Sequence, residues 1–258
     1  MTPVSPDRVN NPFAAEGVGE HYDRGRPYHH ARTLARVIAM VGDGPLARGL
    51  DIACGTGMST VALAEYAPRV VGLDISPEMM RAARQATGVS YLFANAERTP
   101  FPAAAFDAVT CSSGVHWFDQ DRFFGELHRI LRPSGWVALY DHYFIRMRAT
   151  PGFKDWIAAL FERFPLPPRG KQVGDPRAET PAGFELIANE QWDDDIPMTL
   201  HQMVDYQLTV SHCVAAVERG TPRAEVRQWL HDSLAPLFDE PTKTVRFFAA
   251  ATCLRPVS

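Results

Sequence analysis

The stretch Asp51-Ile52-Ala53-Cys54-Gly55-Thr56-Gly57 is the most informative part of this chain. It predicts a buried strand that ends in a glycine turn, and the residues after it predict a helix. Gly55 and Gly57 carry no Cβ, so the backbone there can bend tightly and pass close to a ligand. A second predicted strand then ends at a carboxylate, in Val70-Val71-Gly72-Leu73-Asp74. This spacing places Asp74 beside the ribose of a nucleotide-like ligand in a βαβ unit.

Strands and helices alternate on either side of this stretch. Apolar runs predict strands over residues 49–53, 69–74, 89–94, 106–111, 136–141, 184–189 and 244–254. Ser76 and Asp119 are capping residues at the start of two predicted helices. After Tyr143 the pattern changes to mainly helical segments. Near-continuous apolar strands between amphipathic helices indicate a parallel sheet covered on both faces. We therefore expect an α/β fold, with a doubly wound, mostly parallel sheet of seven strands and helical cap additions.

The composition restricts the class of partner. The chain has 258 residues and a formal net charge of -4, which disfavours the broad basic face that nucleic-acid proteins use. No stretch has the roughly 18 apolar residues of a membrane span, and the N-terminus does not read as a signal peptide. The four cysteines have neither disulfide nor metal-ligand spacing and are expected to be reduced thiols: Cys54, Cys111, Cys213 and Cys253. We expect a cytoplasmic protein without nucleic-acid or membrane partners.

Position 60 separates two kinds of glycine-turn protein. A nicotinamide-dependent oxidoreductase would have a third glycine there, which lets the helix approach a pyrophosphate. This chain has the β-branched Thr60 instead. A cofactor without phosphate needs close backbone approach but no anion cradle. The dinucleotide interpretation is kept as an alternative.

The motifs resemble those of class I S-adenosylmethionine-dependent methyltransferases. The glycine turn and Asp74 match the first two motifs of that family. The run Cys111-Ser112-Ser113-Gly114-Val115-His116-Trp117-Phe118-Asp119 resembles the type-11 group, near its trans-aconitate and ubiquinone-biosynthesis branches. The resemblance covers most of residues 48–141, extends loosely to an N-terminal pattern that includes Arg26, and is thin over residues 146–220. It implies a Rossmann-like fold, S-adenosylmethionine as cofactor and S-adenosylhomocysteine as product.

The resemblance also implies which residues contact the cofactor. Asp74 would accept hydrogen bonds from the ribose hydroxyls. The family usually has Asp-Ala after the third strand, where this chain has Asn95-Ala96. The Asn95 amide oxygen can still accept from the adenine amino group, and the Ala96 amide would donate to the ring. The remaining expected contacts are Asp51, Ala53, Gly55, Gly57, Ile75, Glu97 and Ser112.

Methyl transfer is an in-line displacement, so the enzyme mainly aligns the reactants and excludes water. A general base matters only when the attacking atom carries a proton. His116 is the first catalytic candidate and His142 the second, because histidine titrates near neutral pH. An alternative is that His116 and Trp117 simply wall the cofactor pocket. His29 and His30 are expected to be solvated.

Aromatic residues are candidates for the acceptor side of the site. The expected substrate residues are Tyr22, Tyr28, His116 and Trp117, whose rings can favour the positive sulfonium. Asp193-Asp194-Asp195 is not expected to bind a metal, because consecutive residues of a strand point to alternate faces. We interpret these three acids as a solvated edge and predict no metal site.

The sequence therefore predicts a single methyltransferase domain over residues 1–258. Residues 1–30 would be an N-terminal lid of loop followed by the start of a helix, 31–145 the cofactor-binding core, 146–240 a helical cap and substrate region, and 241–258 the final strand. The expected acceptor is a small or mid-sized organic molecule, such as a secondary metabolite methylated at oxygen or carbon. A non-catalytic protein that binds the same cofactor is a second alternative, and a homodimer is left open.

Overall fold

The computed structural model describes residues 18–42, 44–148, 150–165 and 180–257. The first part of the predicted N-terminal lid lies outside these ranges. The strands are β1 Gly49–Ile52, β2 Val70–Asp74, β3 Val89–Phe93, β4 Phe106–Ser112, β5 Leu131–Met147, β6 Phe184–Met198 and β7 Lys243–Pro256. The helices are α1 Val18–Gly25, α2 His30–Val41, α3 Met58–Leu63, α4 Pro77–Arg81, α5 Gln120–Ile130, α6 Phe153–Arg163, α7 Leu200–Gln207, α8 Ser211–Glu218 and α9 Arg223–Leu234.

The strands form one seven-stranded sheet in the order β3-β2-β1-β4-β5-β7-β6. The five strands from β3 to β5 are parallel, whereas β7 runs antiparallel to both β5 and β6. The predicted fold class is confirmed. Because parallel strands end at the same edge, the carboxyl ends of β1, β2, β3 and β4 meet where ligands bind in open α/β sheets.

Both faces of the sheet are covered, and alternate residues of a strand enter different clusters. Val109 of β4 packs with Phe123 and Leu127 of α5. Its neighbour Ala108 belongs to the cluster that contains Leu34 of α2. Successive residues of the strand thus point to opposite faces of the sheet, and each face is covered by a layer of helices.

The N-terminal segment differs from its prediction. Residues 18–25 form the helix α1 where the sequence predicted loop. Val18 and Tyr22 pack with Met79 of α4 and Val214 of α8. Its stability comes from this packing, so the polar and glycine-rich local sequence gave no signal. The two predicted caps are confirmed: the Ser76 side chain accepts from Met79 N, and that of Asp119 from Arg122 N.

A second core lies in the region predicted as a helical cap. Helices α6 to α9 pack there against the long ends of β5 and β7, which contribute Met147 and Phe247. The region is not purely helical, because β6 spans 15 residues of it and pairs with β7 along its length. The sequence predicted a strand at residues 184–189 that continues irregularly to residue 195, whereas the strand pairs with β7 as far as Met198.

Two findings concern the expectations from composition. No helix in the described ranges has both the length and the apolar run that a bilayer crossing requires. Cys54, Cys111, Cys213 and Cys253 are all buried and free, as the spacing predicted.

Replacement of Gly57 by alanine should destabilise the fold. Gly57 has φ of 74°, and a Cβ there would collide with the hydroxyl of Tyr91. We expect Gly57→Ala to lower the free energy of unfolding by about 1–3 kcal/mol, because the cost of the strained backbone adds to the cost of the clash. Gly125→Ala is the matched control: it lies within α5 with nothing near its Cβ position, so stability should rise by up to about 1 kcal/mol. Urea unfolding of both variants measures the difference, and equal stabilities would contradict the explanation.

Candidate functional site

The glycine turn after β1 is tied to the end of β2 by one carboxylate. Gly55 N donates to Asp74 Oδ2 and Ser76 N donates to Asp74 Oδ1, each at a distance of 2.8 Å. Burial raises the pKa of Asp74, and these backbone donors oppose that shift. The carboxylate is half-buried at the strand end, and Ile75 beside it is half-buried too. Asp74 is therefore fixed at the place where the sequence predicted a ribose ligand.

Asp51 lies beneath the turn and has no exposed surface. Its carboxylate accepts hydrogen bonds from Ser59 Oγ at 2.6 Å, Thr60 Oγ1 at 2.7 Å and Thr110 Oγ1 at 2.8 Å. Burial nevertheless raises the pKa of Asp51 to about 6. The residue joins β1, α3 and β4, and direct contact with a cofactor stays a prediction. Thr60 is explained as well, because its hydroxyl contributes to this network.

The turn after β3 carries the predicted adenine residues. Asn95 Oδ1 accepts from Glu97 N at 2.9 Å, so the asparagine side chain closes its own turn. Ala96 between them is buried. The Glu97 carboxylate accepts from Asp119 N at 3.1 Å, which links this turn to the loop after β4. A carbonyl oxygen has two lone pairs, so Asn95 Oδ1 can still accept one further donor.

Unusual backbone conformations mark the same edge of the sheet. Ala53 after β1 has φ of 55°, and Ser113 after β4 has φ of 52°. Gly114 lies so close that a Cβ on it would be 2.6 Å from Ala53 Cβ. Such conformations cost energy and concentrate at functional sites. The predicted cofactor residues on β1, β2, β3 and β4 thus converge on one edge.

A narrow cleft opens beside this edge, toward β5. Ser112, a predicted cofactor contact at the end of β4, is part of its wall. The cleft is lined by Tyr22, Arg26, Pro27, His29, His30, Met58, Ser112, Ser113, His142 and Tyr206. The predicted substrate residue Tyr22 and the catalytic candidate His142 therefore lie in one cleft.

His142 is buried in this cleft and held from three sides. Its Nε2 lies 3.1 Å from Asp194 Oδ2, and Arg32 binds the same carboxylate oxygen at 2.8 Å. Its ring stacks on His29 with centroids 3.9 Å apart and on Phe247 at 4.7 Å. Burial lowers the pKa of His142 to about 4, although Asp194 opposes the shift. The imidazole is therefore neutral at pH 7 and able to accept a proton.

The prediction that His29 and His30 are solvated was wrong. Both are buried at the start of α2, where His29 Nδ1 lies 3.2 Å from Thr33 Oγ1 and His30 Nδ1 lies 3.0 Å from the Tyr140 hydroxyl. Burial lowers the pKa of His29 well below its ordinary value and that of His30 to about 3. Their burial arises from contact with β5, which is 110 residues from His30 in the sequence.

The three consecutive acids on β6 alternate between faces, as predicted. Arg246 binds Asp193 at 2.6 Å and Asp195 at 2.8 Å, whereas Asp194 points to His142 and Arg32. The description of all three as a solvated edge was wrong for Asp194, whose side chain is 15% exposed. No cluster of metal-ligating side chains occurs in the described part of the chain.

His116 and Trp117 lie apart from the cleft. They belong to a 3-10 turn over Val115–Trp117, with ring centroids 4.9 Å apart, and both are exposed. Tyr28 is also exposed and lines a second, outer pocket together with Arg24 and Arg32. The structure does not bring the two catalytic candidates together. A catalytic role for His116 stays a prediction, and the cleft directs attention to His142.

Several cleft residues were missed by the sequence prediction. Arg26 was noted only within a loose N-terminal pattern, although it lies between the rings of Tyr22 and Tyr206. Met58 follows the glycine turn directly, so its position was a usable signal. Tyr206 offered none, because it reaches the cleft only through the packing of α7.

Protonation of His142 should make the fold sensitive to acid. Its pKa is about 4 when folded and 6.5 when unfolded, so the unfolded state binds more protons between these values. Stability contributed by the neutral ring is present above pH 6.5 and is lost as the pH falls toward 4. Between pH 7 and pH 4, we expect the free energy of unfolding of the wild type to fall by about 3 kcal/mol more than that of His142→Gln, as measured by urea unfolding. His231→Gln, at an exposed position, should behave like the wild type; a variant His142→Gln with the same acid loss would contradict the assignment.

Comparison with known proteins gives a family match over the core of the sheet. The family model described as a methyltransferase domain matches residues 50–139, which include the glycine turn, Asp74 and the loop before His116. A demethylmenaquinone methyltransferase of Thermus thermophilus is 46% identical over 102 residues. That match covers 36% of this chain and 46% of the Thermus enzyme, so the chain aligns with less than half of that relative.

Two further relatives extend over most of the chain. A methyltransferase of uncharacterized function from Mycobacterium tuberculosis is 29% identical over 222 residues, which cover 83% of this chain and 85% of that protein. A solved structure from Anaeromyxobacter dehalogenans, provisionally named a type II methyltransferase, has a TM-score of 0.67 and 25% identity, and the match covers 87% of this chain and 95% of that one. With the fold, these findings show a methyltransferase domain over residues 50–139 and support an enzyme, a methyltransferase.

Proposed function

We propose that this enzyme transfers the methyl group of S-adenosylmethionine to a small organic acceptor that binds beside His142. The observation that carries this proposal is the continuity of two features at Ser112. The edge that holds the predicted cofactor residues runs directly into the cleft, and Ser112 belongs to both. A cofactor on this edge would have its reactive end at an enclosed space lined with polar and aromatic side chains.

The residues at the edge fit S-adenosylmethionine. The Asp74 carboxylate accepts from Gly55 N and Ser76 N, and the Ile75 N–H also stabilises its charge; the acceptor capacity that is left is available to the ribose hydroxyls. Asn95 Oδ1 has room for one donor from adenine, and Ala96 follows it. The positive φ values of Ala53 and Ser113 give the backbone an uncommon conformation at this edge. The cofactor, when bound, supplies a methyl carbon that its sulfonium has already activated.

The chain's own residues would then align the acceptor and move one proton. Alignment of two reactants can account for about 7–11 kcal/mol of a barrier. If the attacking atom of the acceptor carries a proton, His142 can accept it. Asp194 holds Nε2, so Nδ1 is the ring nitrogen that remains for this role. Arg32 holds the Asp194 carboxylate, and Asp194 fixes the ring and would stabilise the imidazolium that forms, although the charge of Arg32 opposes that stabilisation.

Two alternatives receive less support. In an oxidoreductase the helix after the glycine turn would approach a pyrophosphate, but Thr60 is bound to Asp51 at that position. A non-catalytic cofactor-binding protein would have no need of a histidine held by a carboxylate at the end of the site. The acceptor class of the Thermus enzyme is not carried over, because the match to it covers only 36% of this chain.

Cofactor binding is the first test of the proposal. We expect S-adenosylmethionine and S-adenosylhomocysteine, each at 100 times its dissociation constant, to add about 2.7 kcal/mol of stability in a thermal shift experiment. NADH should add none. Asp74→Ala should weaken binding of S-adenosylhomocysteine by about 1–3 kcal/mol in calorimetry, because a charge-assisted hydrogen bond is lost. Asp121→Ala, on the exposed side of α5, is the control. Stabilisation by NADH alone would reject the proposal.

The second test separates Asp194 from its neighbour on β6. With a panel of phenols and hydroquinones and tritiated S-adenosylmethionine, we expect His142→Gln to reduce turnover by about 100-fold or more. Asp194→Asn should reduce turnover less and shift the pH dependence of turnover. The amide can still orient the His142 ring, but it stabilises the imidazolium charge poorly. Asp193→Asn should leave turnover unchanged, since Asp193 faces Arg246. All three variants should bind S-adenosylhomocysteine normally; equal effects of the two Asp variants would exclude the proton-transfer role.

A further inference from the structure

Arg26 has an uncommon setting at the end of the cleft. Its guanidinium carbon lies 4.8 Å from the ring centroid of Tyr22 and 5.0 Å from that of Tyr206. Its Nη2 donates to Thr209 O at 3.1 Å. Two aromatic faces and a backbone carbonyl thus fix the plane of the guanidinium.

One donor of this fixed group is not satisfied. Arg26 Nε is buried and has no hydrogen-bond acceptor in the described part of the chain. Nearby carboxylates are engaged by other arginines: Arg84 binds Asp23 at 2.9 Å, and Arg32 binds Asp194 at 2.8 Å. A buried donor without a partner costs free energy. Within the described ranges the Arg26 Nε therefore has no acceptor, and a bound ligand with an acceptor oxygen would supply one.

The wall of the cleft supplies no negative charge. None of its lining residues is an Asp or a Glu. Burial keeps His29, His30 and His142 neutral at pH 7, and the charge of Arg26 further lowers the pKa of each. The cleft therefore carries the charge of a single guanidinium, which suits one monovalent anion.

We propose that Arg26 binds the carboxylate of a ligand in the cleft through the edge of its guanidinium that includes Nε, since the two faces are covered by the rings of Tyr22 and Tyr206. This inference rests on the proposed function and deepens it. An arginine fork matches the two oxygens of a carboxylate. A phosphate dianion would call for a second positive charge, which the cleft wall lacks. The cleft lies on the β4–β5 side of the glycine turn, away from Asp74 and Asn95, so the carboxylate belongs either to the methionine end of the cofactor or to the acceptor.

Two pairs of probes distinguish these sources. S-adenosylhomocysteine carries the amino-acid carboxylate, whereas 5′-methylthioadenosine keeps the nucleoside and lacks it. With the cofactor site filled by S-adenosylhomocysteine, 4-hydroxybenzoate and 4-hydroxybenzamide form the second pair, which differs in charge but hardly in shape. Calorimetry with each probe is carried out on the wild type, Arg26→Gln and Arg26→Lys. Arg24→Gln is the control, because Arg24 lines only the outer pocket.

If Arg26 binds the cofactor, Arg26→Gln should weaken S-adenosylhomocysteine by about 10- to 100-fold and leave 5′-methylthioadenosine unchanged. If it binds the acceptor, the two nucleosides should be unaffected, and the preference of the wild type for hydroxybenzoate over hydroxybenzamide should disappear. Arg24→Gln should change neither pair. Arg26→Lys should retain part of the effect, and it decides the matter if Arg26→Gln fails to fold.

The proposal is overturned if Arg26→Gln binds all four probes as the wild type does. It is also overturned if the neutral probe of each pair is weakened as much as its charged counterpart, because Arg26 would then only shape the cleft. A wild type that binds neither nucleoside contradicts the proposed function instead, and the benzoate pair on the protein alone then decides the role of Arg26. The proposal is also contradicted if the wild type binds neither carboxylate probe more tightly than the uncharged probe of the same pair.

Discussion

The site depends on one buried carboxylate. Asp51 has no exposed surface, and a charge in that position is tolerated only when donors surround it. Three hydroxyls do so, two from α3 and one from β4. The bonds fix the start of α3 and the neighbouring strand relative to β1, and so they set the shape of the glycine turn. Asp74 then ties that turn to β2. The geometry available to a cofactor follows from these two acids, one hidden and one accessible.

The cleft beside this edge has a different origin. Its residues come from α1, α2, β5 and α7 as well as from the strand ends, and the contacts that shape it join distant parts of the chain. His142 and Asp194 are 52 residues apart, and Arg26 and Thr209 are 183 apart. The edge with the predicted cofactor residues lies within residues 51–119, whereas the cleft joins segments from residue 22 to residue 206. The methyltransferase family model likewise matches residues 50–139 and not the helices on either side.

Particular residues show how far the sequence could be interpreted. The carboxyl ends of β1 to β4, the caps at Ser76 and Asp119 and the alternation of acids on β6 follow from short-range rules, and these were predicted to within a residue; the long extensions of β5 and β6 were not. The burial of His29 and His30 was not, because nothing near them in sequence shows that β5 covers the start of α2. His116 attracted attention through its motif, yet it lies exposed on a 3-10 turn. Asp194 was dismissed for its neighbours, although its own face of the strand meets His142.

By itself the sequence determined the doubly wound sheet, the glycine turn and the carboxylate of β2, because periodicity and glycine placement act over a few residues. Only the tertiary structure decided which histidine is held by a carboxylate, that Arg26 is enclosed by two tyrosine rings, and that Asp51 supports the turn from beneath. The physical reason is that burial and hydrogen-bond partners are properties of packed surfaces. These surfaces join segments far apart in the chain, and no local pattern of residue types encodes which ones meet.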